Sequence, residues 1–200
     1  AVTGSATPVP GCTSTPLGVL RYRPAAVPSF VQRWFPDGPT AVALGTAPVV
    51  HFDRDDDLQR GWLRRRTRGK ADPPAHHVPS TEGFVQAVLA GMGWGMLSDL
   101  QLADPTLRSA VVLLDERATV DVPLYWQRWK VRSPSLDRLS DTLLAGGRRM
   151  GEAVLADRDV VDPPRDRHLA LGVLGHPLLV DRERDHDRPV LHHERRDRVH

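Results

Sequence analysis

From about residue 20 to residue 154 the chain alternates short apolar runs with stretches of helical period, and this limits what it can fold into more than any other feature. Such alternation predicts an α/β fold with a largely parallel or mixed sheet. Residues 12–27 read as extended segments broken by Pro16, Gly18 and Pro24. In the stretch 28–35, PSFVQRWF, Pro28 opens a helix and Phe30, Val31, Trp34 and Phe35 share one face. Pro36-Asp37-Gly38-Pro39 ends it. APVVHF (47–52) predicts a short buried strand. The acids between Asp53 and Asp57 then suit a helix start, where outward N–H groups favour negative charge, and Leu58, Trp62 and Leu63 carry the helical spacing on.

Beyond the Asp72-Pro73-Pro74 loop, His76-His77-Val78 is a candidate strand. Ser80 or Thr81 caps the next helix, Glu82 sits in its first turn, and Phe84, Val85, Val88, Leu89 and Met92 form its apolar stripe. Gly91 and Gly93 end it, and short strands follow at 94–97 and 111–114. Val122 to Val131 is apolar at successive positions, as a central strand covered on both faces should be. Ser133 caps a last helix with Pro134 at its first position; Leu136, Leu139, Leu143, Met150 and Val154 keep the period, and Gly146-Gly147 weakens its middle. No internal repeat is visible.

Residues 156–200 are different. They contain no aromatic, Ser, Thr or Lys residue, they hold six of the nine histidines, and only 169–180 is apolar. They read as a disordered tail or as out-of-frame translation of GC-rich DNA. GC-rich coding also accounts for a chain with no Ile, no Asn and lysine only at Lys70 and Lys130.

Charge and cysteine usage exclude several function classes. With 27 basic and 25 acidic residues there is no broad basic face. The densest basic run, Arg60 to Lys70, fits a solvated helix end and loop better than a phosphate-binding patch. The single cysteine, Cys12, forms no intrachain disulfide and fits a reducing cytosol. Ala1 to Pro10 lacks the charged and apolar regions of a signal peptide, and no apolar run approaches the roughly 18 residues of a membrane span. His51, His76 and His77 match no compact zinc spacing, so no metal or other cofactor is expected. There is no G-x-S-x-G, no phosphate-binding glycine loop and no H-E-x-x-H. Gly91-Met92-Gly93-Trp94-Gly95 follows a helix instead of opening one, so it is not a dinucleotide loop. Trp126 and Trp129 suit core packing more than ligand stacking. The chain is not read as an enzyme.

Four stretches go further: VPSFVQRWFPDG (27–38), APVVHFDRDDDLQ (47–59), HHVPSTEGFVQAVLAGMGWGML (76–97) and VPLYWQRWKVRSPSLDRLSDTL (122–143). In this order they resemble the C-terminal portion of LysR-type transcriptional regulators, of the branch that responds to lysine and arginine and controls basic amino-acid export. The similarity covers roughly residues 1–150. It implies a two-lobed, periplasmic-binding-protein-like α/β effector domain whose first lobe is incomplete at the N-terminus. Residues 20–97 would form the second lobe, residues 1–19 and 98–155 the remnant of the first, and 156–200 an out-of-family tail.

The resemblance also implies an effector, L-lysine or L-arginine, held between the lobes. It implies DNA contact only through a winged helix-turn-helix that these residues do not contain, and a homodimer or homotetramer in a cytoplasmic regulator. The helix starting at Ser80 and Thr81 is then a candidate for the effector's carboxylate, because exposed helix N–H groups bind anions; as a plain cap it needs no ligand. Asp53 follows a buried strand, where α/β sheets gather ligands, and is a candidate for the cation, as is Glu82; both also fit ordinary helix starts. Two rivals share the architecture or the sequence: a transport-type solute-binding protein, and an inert truncated or frameshifted product.

Overall fold

Fifteen residues rich in threonine and apolar side chains make β2 (Cys12–Ala26), the longest strand of the computed structural model, which describes residues 1–155. The segment expected to break at its prolines runs through them. Pro16 and Gly18 flank an irregularity in the ladder, which absorbs the N–H that proline lacks, and Pro24 still accepts from the N–H of Leu114.

Two groups of elements share this strand. Its first eleven residues pair antiparallel with β7 (Val120–Trp129), from Cys12 opposite Trp129 to Tyr22 opposite Val120, and β7 pairs in turn with β1 (Val2–Thr3). Its last residues pair with β5 (Gly95–Ser98) and β6 (Val112–Leu113). The helix α7 (Pro134–Leu155) lies against β2. Between β2 and β5 run α1 (Pro28–Trp34), α2 (Ala41–Thr46), β3 (Val49–His51), α3 (Leu58–Thr67), β4 (Ala75–His77) and α4 (Thr81–Leu89); α5 (Asp99–Leu102) and α6 (Pro105–Ala110) follow β5.

Instead of the expected largely parallel or mixed sheet there are two sheets, and antiparallel pairing dominates. The larger sheet is antiparallel in every pair, while β3 and β4 run parallel and Val49 bridges Trp94 in the same sense. The core is continuous: Leu44, Val49, Val50, Val88, Trp94 and Leu97 are all essentially inaccessible, and Trp62 meets Trp94 edge-on at 5.2 Å. Phe30, at the centre of α1, packs on Trp34 and Phe35, so the predicted helical face is the buried one.

Several expectations need correction. The strand predicted over 122–131 is β7, and it is not covered on both faces. Val120, Val122, Leu124 and Trp126 are buried in alternation, and Trp129 at its end and Val131 beyond it are exposed. Trp126 is a core residue as expected; Trp129 is not. Of the acids after β3, only Asp57 stands at the helix start, as the N-cap of α3, which begins at Leu58; the others precede it. Met92 lies beyond α4 and is exposed, since Gly91 adopts φ +71° and turns the chain away. Gly91-Met92-Gly93-Trp94-Gly95 is packing: a side chain at Gly93 would strike the Pro48 carbonyl at 2.9 Å, and one at Gly95 the Phe84 ring at 2.7 Å. Arg64, Arg65 and Arg66 are exposed at the end of α3, as read from the sequence. Side chains at Met150 and Val154, and the tail 156–200, lie outside the described residues.

Candidate functional site

β3 and β4 are three-residue strands in parallel register, with His51 opposite His77. Neighbouring strands sit about 4.8 Å apart. Their C-terminal ends therefore deliver two loops to one edge, and the Val78 N–H, donating to the His51 carbonyl at 2.9 Å, extends the pairing one step further. One loop, 52–57, carries Asp53. The other, 78–80, carries Ser80 and opens α4. The sequence-predicted residues thus come from adjacent strand ends, where α/β folds place their ligands.

Asp53 is half-buried, and its Oδ1 accepts the Asp55 N–H at 2.9 Å. Ser80, Thr81 and Glu82 are exposed. Ser80 is the N-cap, its Oγ accepting the Gly83 N–H at 3.1 Å, so the capping role read from the sequence is present. Thr81 and Glu82 are the first two helical residues, where backbone N–H groups have no intrahelical acceptor and the helix dipole is positive. Asp53 and Ser80 share the edge formed by these two strand ends; Glu82 stands in the first turn of the helix.

The sequence missed the residue that shapes the first loop. Asp56 accepts the Phe52 N–H at 2.9 Å and the Leu58 N–H at 3.0 Å, which closes the turn from β3 into α3. Arg60 adds a third tie, donating to the Arg54 carbonyl at 2.6 Å. The run of acids hid this: any of them could have capped the helix, and only the fold shows which carboxylate faces which amide. Tyr22 also converges here from β2. Burial, and secondarily the Asp56 carboxylate, push its phenol well above the usual tyrosine range, so it stays a neutral hydroxyl.

Beneath the loops lies His51, 3% exposed, its ring stacked on His77 at 5.7 Å. Burial lowers its pKa, against a smaller raising effect of Asp56. Among the described residues no three His, Cys, Asp or Glu side chains gather as a metal site. A hollow of about 440 Å³ opens elsewhere, between Arg23, Asp99, Arg108 and Glu116, and none of the four predicted residues lines it. Arg23 there is engaged with Asp99 at 2.9 Å. No helix among the described residues is long and apolar enough to cross a membrane.

The family profile described as the LysR substrate binding domain matches residues 1–148. The HTH-type transcriptional regulator LysG of Mycobacterium tuberculosis is 46% identical over 145 residues, which cover 72% of this chain and 48% of the relative. The crystal structure of ArgP from Mycobacterium tuberculosis superposes with a TM-score of 0.69 at 45% identity, over 74% of this chain and 50% of that one. Full-length LysG from Corynebacterium glutamicum with bound effector Arg does so with a TM-score of 0.64 at 38% identity, over 74% of this chain and 51% of that one. The chain spans about half the length of the curated relatives it matches.

Proposed function

Because this chain belongs to the family of LysR substrate-binding domains, we propose that it is the sensing part of a transcriptional regulator whose effector is L-lysine or L-arginine. The fold is that of LysR-type effector domains, α/β and periplasmic-binding-protein-like, with the first lobe covered in part. In this reading residues 20–97 are the second lobe, and residues 1–19 with 98–155 belong to the first.

One observation carries the proposal: a carboxylate, Asp53, and a capped helix start, Ser80, leave neighbouring parallel strands at one edge. A basic amino acid offers the complementary charges. Its carboxylate suits the N–H groups and positive dipole end of α4, with Ser80 and Thr81 around it. Its cations suit Asp53, with Glu82 beside the helix start. The solved LysG of Corynebacterium glutamicum, with its bound effector Arg, supports the same ligand class.

Ligand binding then favours one arrangement of the two lobes over another and changes how the regulator sits on DNA, which is allostery by differential affinity. DNA is contacted through a winged helix-turn-helix outside these 200 residues, in a cytoplasmic homodimer or homotetramer. The relative LysG is named a transcriptional regulator, which favours this reading over the transport one.

Calorimetric titration of the chain with L-lysine, L-arginine and norleucine tests the proposal. Saturable heat at millimolar or lower ligand is expected from a basic amino acid, weakened about tenfold or more by Asp53→Asn, the loss of one charge-assisted contact. Equal binding of norleucine would overturn the basic-effector assignment, and no heat from any of the three would favour an inert product.

A further inference from the structure

The two loops of the candidate site rest on a buried imidazole that the proposed effector contacts do not use. His51 is the last residue of β3, 3% exposed, and its Nδ1 meets no hydrogen-bond partner among the described residues. Gln59, the second residue of α3 and 1% exposed, holds its Oε1 equally unpartnered. The charged and titratable groups facing the ring are Asp56 from the loop, Arg60 from α3 and His77 from β4. His77 is stacked on it, with ring planes 23° apart. Asp56 is the one carboxylate in this set, and both of its oxygens are committed to the Phe52 and Leu58 N–H groups that close the loop.

We propose that His51 is a proton-sensitive positioning residue for the 52–58 loop: when its buried imidazole takes a proton, the new cation draws Asp56 away from the loop amides and loosens the turn that presents Asp53. A buried charge needs a counter-charge, and Asp56, the one carboxylate acting on the ring, is already the loop's fastener. At neutral pH the ring is uncharged and the turn is closed. Burial opposes the proton most strongly, Asp56 favours it, and Arg60 and His77 oppose it further. The folded state therefore binds this proton less readily than the unfolded chain does. The contribution of His51 to stability is complete above the ordinary imidazole value of about 6.5 and is lost as pH falls from there through the lowered folded-state value. The consequence for effector binding rests on the function proposed above; the proton linkage does not.

Two-dimensional NMR of the full chain, with His51 assigned through its backbone, follows ring and amides together. His51 is expected to take its proton at a lower pH than an ordinary imidazole, with the Phe52 and Leu58 amide signals shifting in step. His77→Gln removes a flanking imidazole and should raise the pH at which His51 titrates. As pH falls from about 8 to below the ordinary imidazole value, the melting temperature of the wild type should fall further than that of His51→Gln. Titration of His51 at the ordinary value, or loop amides that ignore its protonation, overturns the proposal. Because that reading comes from the wild type, it holds whether or not the variant folds and whether or not an effector binds.

Discussion

Arg21 and Asp121 face each other across the β2–β7 ladder and form a two-pronged ion pair, Nε to Oδ1 at 2.8 Å and Nη2 to Oδ2 at 3.1 Å. Their side chains are 3% and 12% exposed, so solvent screens them little. Removing one member strands the other in low dielectric, and that penalty exceeds what the pair itself contributes. Arg21→Met should therefore destabilise the chain by about 3 kcal/mol in urea unfolding; a loss under about 1 kcal/mol would show that water reaches Asp121. The Ser80 cap is a smaller contact of the same directness. Its exposed Oγ holds one N–H, and Ser80→Ala should cost about 1 kcal/mol by thermal unfolding. A ligand held by that helix start adds a second effect: weaker binding in Ser80→Ala beyond what the stability loss explains marks the cap as part of the site.

At the scale of elements, α7 lies against β2, packs Leu136, Leu143 and Leu144 on the core, and bonds to β7 through Ser140. Trp126 Nε1 donates to Ser140 Oγ at 2.9 Å within the interface, and Ser140 Oγ donates to the Leu136 carbonyl at 2.6 Å. Gly147 lies on the strand backbone itself: a Cβ there would overlap the Leu17 carbonyl oxygen. Gly146, its neighbour, has nothing within 4 Å of the same position. The sequence reading treated the pair as one weak spot in a helix, and the two residues are opposite in kind. Ala is favoured over Gly by about 1 kcal/mol in a helix interior, so Gly146→Ala should stabilise by up to that amount. Gly147→Ala gains the same propensity but forces helix and strand apart, an overpacking cost of roughly 1–3 kcal/mol, and should destabilise on balance. Opposite shifts in melting temperature check the pair; two shifts of one sign would contradict the packing.

The whole molecule is joined by contacts distant in sequence. Cys12 pairs with Trp129 and Tyr22 with Val120, so the central ladder closes a loop of about a hundred residues before any of its contacts form. Such topology folds slowly for its size, and stopped-flow refolding should occupy milliseconds to seconds; microsecond folding would mean the β2–β7 ladder is not in the transition state. The sequence by itself determined what depends on neighbours a few residues apart. Helical period placed Phe30 and Phe35 inward, Ser80 announced its cap, and the short apolar runs marked β3 and β5, because these choices follow from local sterics, capping and burial patterns. Only the tertiary structure decided that Pro16 and Pro24 lie within one continuous strand, that Asp56 and not another acid of the run fastens the loop, and that His51 is sealed under it beside His77. Each of those depends on which distant strand or helix stands opposite, and a local pattern does not encode its partner.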